Sequence, residues 1–169
     1  LVDWHLTGDR RAASERMYAR MLEISAELGV GKIKLGGGVF ETEAPDTGAM
    51  RAALFDICEA AKPLGIDIAI EFLPFASINS IDRGLDLFRD LGVTNGGLLV
   101  DTWHVARGGM TAEDIRKIPT EFLRAAELDD AGPEVIGDLV NDSTHYRRLC
   151  GDGAIDIPAQ IQAMLDQGY

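Results

Sequence analysis

At 169 residues, with 46% hydrophobic and 26% charged side chains, the chain has the length and composition of one globular domain. A formal net charge of -12 opposes nucleic-acid backbones and anionic membrane surfaces, so neither is expected as a partner. Cys58 and Cys150 lack CxxC spacing, which argues against a disulfide framework or a thiolate zinc site and leaves two reduced thiols as the expectation.

No apolar stretch approaches the roughly 20 residues of a membrane helix, and the first ten residues lack a signal-peptide pattern. A cytoplasmic location is expected, and the missing initiating Met fits a processed or incomplete chain. Leu1 to Leu6 can form the end of a strand. From Arg11 the positions Met17, Met21, Ile24 and Leu28 recur with helical spacing, predicting a helix that Gly29 stops. Val30 to Leu35 reads as a strand with Lys34 near its carboxyl end, followed by Gly36, Gly37 and Gly38. A glycine run can cradle phosphate, but a simple loop is the preferred reading. Asp46 or Thr47 then caps a helix with an inner stripe of Met50, Leu54, Ile57 and Ala61.

Ile66 to Phe72 is the clearest strand, with Ile66, Ile68 and Ile70 alternating and Glu71 at its end. That carboxylate is either ion-paired, solvated or bound to a metal. Asn79 or Ser80 caps a helix carrying Ile81, Leu85 and Phe88. Glycines 96 and 97 precede the apolar run Leu98, Leu99 and Val100, which reads as a strand buried on both faces and delivers Asp101 and His104 at its carboxyl end. Thr111 with Asp114 makes a capping box. Phe122 to Ala126 forms a further strand ending at Glu127, with Asp129 and Asp130 read as solvated. Ala131 to Ile155 lacks firm periodicity and reads as a long loop carrying Arg147 and Arg148. Asp156 caps a last helix with Pro158 in its first turn and Ile161, Met164 and Leu165 inward.

Strands alternating with helices at these intervals predict a parallel α/β sheet. Successive strands ending in Glu71, Asp101 and Glu127 favour a (β/α)8 TIM barrel over an open sheet, because barrel strand ends converge on one axis. A complete barrel usually takes about 250 residues, so residues 1–169 are expected to be a single, partial barrel domain. Its open sheet edges make self-association an expectation.

The segments IAIEFLPF, NGGLLVDTWHVARGG, AAELDDA and RRLCGDGAIDIPAQIQAMLDQGY together resemble the xylose isomerase-like TIM-barrel superfamily, which includes sugar-phosphate isomerases and epimerases. The resemblance implies that Glu71, Asp101 and Glu127 close the fifth, sixth and seventh strands and ligate a divalent metal. It implies that His104 lies beside the metal and contacts substrate, and that Arg147 contacts the substrate's polar or phosphate end, with Arg148 the alternative. Many epimerases of the family have His where this chain has Glu127. The first two strands and a last ligand, a Glu on the eighth strand, would lie outside this sequence.

An oxygen-rich donor set suits Mn2+ or Mg2+, with Zn2+ or Co2+ as alternatives. The chemistry expected of the complete enzyme is isomerisation or epimerisation of a sugar, sugar phosphate or related polyol ketone, with Glu71 as the base. A dehydratase of a keto-polyol is the enzymatic alternative, and a non-catalytic binding domain is the other. Trp103 is a candidate wall for the sugar or a core residue, and Lys34 a candidate substrate contact.

Overall fold

The structure is a computed structural model that describes residues 3–38 and 46–169. Four strands form one parallel sheet in sequence order: β1 (Lys32–Gly36), β2 (Asp67–Glu71), β3 (Gly96–Asp101) and β4 (Leu123–Glu127). Helices α1 (Gly8–Leu28), α2 (Thr47–Ala61) and α3 (Ile81–Phe88) precede the first three strands. Between β3 and β4 lie two short helices, α4 (Thr102–Arg107) and α5 (Ala112–Ile115), and α7 (Ile157–Asp166) closes the chain. The register Gly36↔Glu71, Glu71↔Leu99 and Asp101↔Glu127 aligns the carboxyl ends of all four strands.

The sheet is curled. Flat strands would hold β2 and β4 about 10 Å apart at roughly 4.8 Å per neighbour, yet their Cα atoms come within 8 Å, and Lys34 of β1 donates to Glu127 of β4 at 3.0 Å. Small residues allow this approach. A Cβ on Gly97 would stand 2.4 Å from the Phe122 carbonyl oxygen and 2.6 Å from Arg124 Cγ. The Arg124 side chain instead crosses that space to the carbonyls of Gly96 and Thr94, at 3.2 and 2.7 Å.

The outward strand residues Ile33, Leu35, Ile68, Ile70, Leu98 and Val100 pack against Met50, Leu54, Ile57 and Ala61 of α2 and against Ile81 and Phe88 of α3. Asp46 and Ser80 cap these two helices as the sequence indicates. Asn95 ties the connections together, donating to the carbonyls of Cys58 and Ile66.

Four expectations are corrected. In α1 the stripe Met17, Ile24 and Leu28 is exposed, while Ser14, Tyr18 and Ser25 are buried. The buried Tyr18 hydroxyl donates to the Ile57 carbonyl at 2.7 Å, and satisfying that group sets the helix's rotation. Leu165 is likewise exposed, because α7 turns Ile157, Gln160, Ala163 and Met164 inward. Residues 3–5 form a turn rather than a strand end, and Leu1 and Val2 lie outside the described residues. The stretch 131–155 is an ordered arm: β5 (Asp130–Ala131) pairs antiparallel with β6 (Arg147–Arg148), and α6 (Leu139–His145) lies between them. Among the described residues, no helix is long and apolar enough to cross a membrane.

Candidate metal centre

Asp101 ends β3 and begins α4. Its Oδ1 accepts the backbone N–H groups of Trp103 and His104, at 2.8 and 3.1 Å, which is the N-cap of that helix. The cap leaves Oδ2 facing the strand ends and folds His104 back over them. Its Nε2 lies 3.5 Å from Asp101 Oδ2 and 3.4 Å from Glu71 Oε1. One ligand atom from each of Glu71, Asp101 and His104 falls within 4.8 Å of the others, and all three residues are buried.

Two cations flank the group. Lys34 Nζ lies 3.2 Å from Glu71 Oε1 and 3.0 Å from both oxygens of Glu127. Arg147 Nη1 donates to Asp101 Oδ2 at 2.7 Å and to Asp129 Oδ2 at 2.5 Å, while Nη2 contacts His104 Nε2 at 3.3 Å and Ser143 Oγ at 3.0 Å. Burial works to raise the Glu71 carboxyl, but His104 and Lys34 outweigh it and hold the group below its usual range. Burial opposes the charge on Lys34 and Arg147 too. Glu127 and Glu71 keep Lys34 above its usual value, and Asp101 and Asp129 do the same for Arg147.

The structure therefore brings Glu71, Asp101, His104, Lys34 and Arg147 together. Glu127 reaches them through Lys34 and stands half exposed, outside the three-residue cluster. Of the two readings of Trp103, its complete burial fits the core residue: the ring is covered by the guanidinium groups of Arg147 and Arg107, at 5.0 and 5.8 Å from its centroid. Arg148 bonds the Asp152 carbonyl and not the cluster.

Three further residues escaped the sequence reading. Asp129 supplies the second carboxylate of the Arg147 bridge. Asp130, expected to be solvated, is 2% exposed and accepts the N–H groups of Ala131, Gly151, Gly153 and Ile155. Burial would raise its carboxyl, but these four donors hold it low. Arg107 pairs with the buried Asp142 at 2.8 Å and donates to the carbonyls of Gly132 and Glu134, pinning the arm that carries Arg147. Its one signal was its place three residues after His104, on the same helical turn.

The donor set fits a divalent cation. Glu71, Asp101, Glu127 and Asp129 carry four negative charges against the two positive charges of Lys34 and Arg147. Carboxylate oxygens with one imidazole accommodate Mg2+, Mn2+ or zinc. His104 Nδ1 is buried without a hydrogen-bond partner among the described residues, whereas a metal-ligating histidine usually anchors its second nitrogen. Glu71 and Asp101 thus fit the metal better than His104 does.

Consecutive βα units with carboxylates gathered at the carboxyl ends of the strands define the wall and mouth of a TIM barrel. The profile of the xylose isomerase-like TIM barrel family matches residues 3–169, and the chain belongs to that family. It is 28% identical to an inosose isomerase of Bacillus velezensis over 118 residues, covering 69% of this chain and 41% of that protein. A 3-dehydroshikimate dehydratase of Pseudomonas aeruginosa is 24% identical over 151 residues, covering 89% of this chain and 24% of the relative. The chain spans about two fifths of the inosose isomerases it matches. Among solved structures, the IolI protein with a bound zinc atom superposes with a TM-score of 0.85 at 23% identity, covering 99% of this chain and 62% of that one. A D-allulose 3-epimerase from Methylomonas sp. superposes at 0.76 and 17% identity, over 99% and 57% of the two chains.

Proposed function

We propose that this chain carries the metal-binding wall of a divalent-metal-dependent isomerase or epimerase acting on a sugar, sugar phosphate or related polyol ketone. The observation that carries the reading is the convergence of Glu71 and Asp101, two buried carboxylates on neighbouring strands, with His104 between them. Lys34 and Arg147 offset part of this charge, but the carboxylates of the site outnumber its cations, and a divalent ion would balance the excess. Glu71 and Asp101 would hold the ion, and Glu127 is the next carboxylate in reach of the site. Mn2+ or Mg2+ suits the oxygen donors, and the zinc of the IolI structure supports a divalent ion in this fold.

A bound divalent ion supplies the positive charge that polarises a substrate carbonyl and eases removal of the adjacent proton. Glu71, held ionised by Lys34 and His104, is the base for that proton. His104 Nε2, between the two carboxylates, is placed to hold a substrate hydroxyl. Arg147 orients the polar end of the substrate across Asp101. Return of the proton to the opposite face gives epimerisation, and return to the neighbouring carbon gives isomerisation.

The dehydratase relative, matched over 89% of this chain, supports a second reading. There the same abstraction by Glu71 is followed by loss of a β-hydroxyl. Titration calorimetry with Mn2+, Mg2+ and Zn2+ on the chain and on Glu71→Gln and Asp101→Asn tests the shared metal site. Saturable binding lost in both variants is expected, and equal binding in all three proteins would refute it. Incubating the metal-loaded protein with keto-polyols in D2O separates the two chemistries. Deuterium incorporation beside the carbonyl supports isomerisation or epimerisation, and loss of water supports the dehydratase.

A further inference from the structure

Each carboxylate of the proposed ion site is paired with a cation, and each cation also holds a second carboxylate outside it. Arg147 joins Asp101 to Asp129, and Lys34 joins Glu71 to Glu127. The two bridges differ in strength. Arg147 is fixed by Ser143, His104 and the Trp103 ring as well as by its carboxylates. The Lys34 ammonium rides on a flexible stem with 43% of its side chain exposed, and its longer contact is the one to Glu71. That contact uses Oε1, the oxygen that also faces His104 Nε2. A divalent ion on Glu71 and Asp101 competes for this oxygen and repels the ammonium beside it.

We propose, building on the metal reading above, that Lys34 is a displaceable counter-ion, moved by the ion from Glu71 onto an anionic group of the substrate. The site would then select keto-polyols that carry a carboxylate or a phosphate. Charge supports this direction. The ion offsets the excess of carboxylates over the cations Lys34 and Arg147 in the cluster and weakens the field that would repel an anion. Lys34 stands on β1, across the curled sheet from Glu127, where a substrate lying over the strand ends would meet it. Because ion and anion draw on one lysine, each must raise the other's affinity by the same factor.

The test titrates Mn2+ into the chain, Lys34→Met and Lys34→Arg, with and without acetate or methyl phosphate as the anion probe. Circular dichroism verifies that each variant is folded. The chain is expected to bind Mn2+ and at least one anion with mutual tightening of roughly five- to tenfold, a factor in the range of ordinary coupling between sites. Lys34→Met should bind Mn2+ alone roughly tenfold more tightly, as expected when a nearby like charge is removed, and should lose the mutual tightening. Lys34→Arg should keep it. Tightening with acetate alone assigns a carboxylate, and with methyl phosphate alone a phosphate. If Lys34→Met binds Mn2+ no more tightly, or couples to the anion as the unsubstituted chain does, the role of Lys34 is overturned while the metal site stands. Absence of Mn2+ binding in all three proteins overturns both.

Discussion

Replacing Arg107 with Met tests whether one polar pin holds the arm over the candidate site. Asp142, 1% exposed, receives Arg107 Nε at 2.8 Å on one oxygen and the Ile136 N–H at 3.0 Å on the other. Removing the guanidinium leaves a buried carboxylate with one backbone donor, a loss of about 3–5 kcal/mol by analogy with broken buried ion pairs. The carbonyls of Gly132 and Glu134 lose a donor as well. The arm has little apolar burial to resist this, since Val135, Ile136, Tyr146 and Leu149 are all exposed. The opening is therefore expected to be local: amides of Ile136, Asn141 and Ala154 should lose about two to three powers of ten in hydrogen-exchange protection while those of β2 and β3 hold theirs. Arg107→Met with Asp142→Leu should recover most of the loss, because the orphaned charge goes too. A cost below about 1 kcal/mol for Arg107→Met, or a double variant as costly as the sum of the singles, would refute the reasoning.

Gly97→Ala should destabilise by roughly 2 kcal/mol or more in urea denaturation, because its methyl meets the Phe122 carbonyl backbone. Gly31→Ala, with nothing within 4 Å, should change stability by less than about 0.5 kcal/mol, and equal effects at the two positions would count against the curled sheet. Asp130 titrates lower in the folded chain than in the unfolded one, so the folded form binds fewer protons. Its stabilisation of the arm is present above the unfolded value near 3.9 and is lost as pH falls through the lower folded value. Exchange of the Gly151, Gly153 and Ile155 amides between pH 5 and 2 measures this, and Asp130→Asn should flatten the profile. Asp101→Asn keeps an acceptor for the α4 cap and removes the charge. It should abolish Mn2+ binding and lose the Arg147 pair, and Asp101→Ala should lose about 1 kcal/mol more through the cap; equal thermal stability of the two variants would argue against the double role.

The sheet and its catalytic-looking rim were legible because they follow local rules. Strand β2 alternates isoleucines, β3 is a bounded apolar run, and Glu71 and Asp101 sit where those patterns stop. The caps at Asp46, Ser80, Thr111 and Asp156 were equally local. What escaped depends on distant partners. The rotation of α1 is set by a tyrosine hydroxyl that finds a carbonyl 39 residues away. The ordering of 131–155 comes from Asp130, Arg107 and Asp142, whose pairing no periodicity announces. Glu127 reads as a ligand by position, yet its charge meets Lys34, and only the curl of the sheet makes that encounter.

Asp101 divides its two oxygens between the backbone of α4 and the centre of the site. Consequently its descendants have few viable routes of change. Most replacements would cost the α4 cap and the charge that meets Arg147 in one step. Asn is the narrow exception, since it keeps the hydrogen-bond acceptor and discards the charge. A lineage of this fold that discarded the charge at this position would be expected to pass through Asn, which keeps the α4 cap.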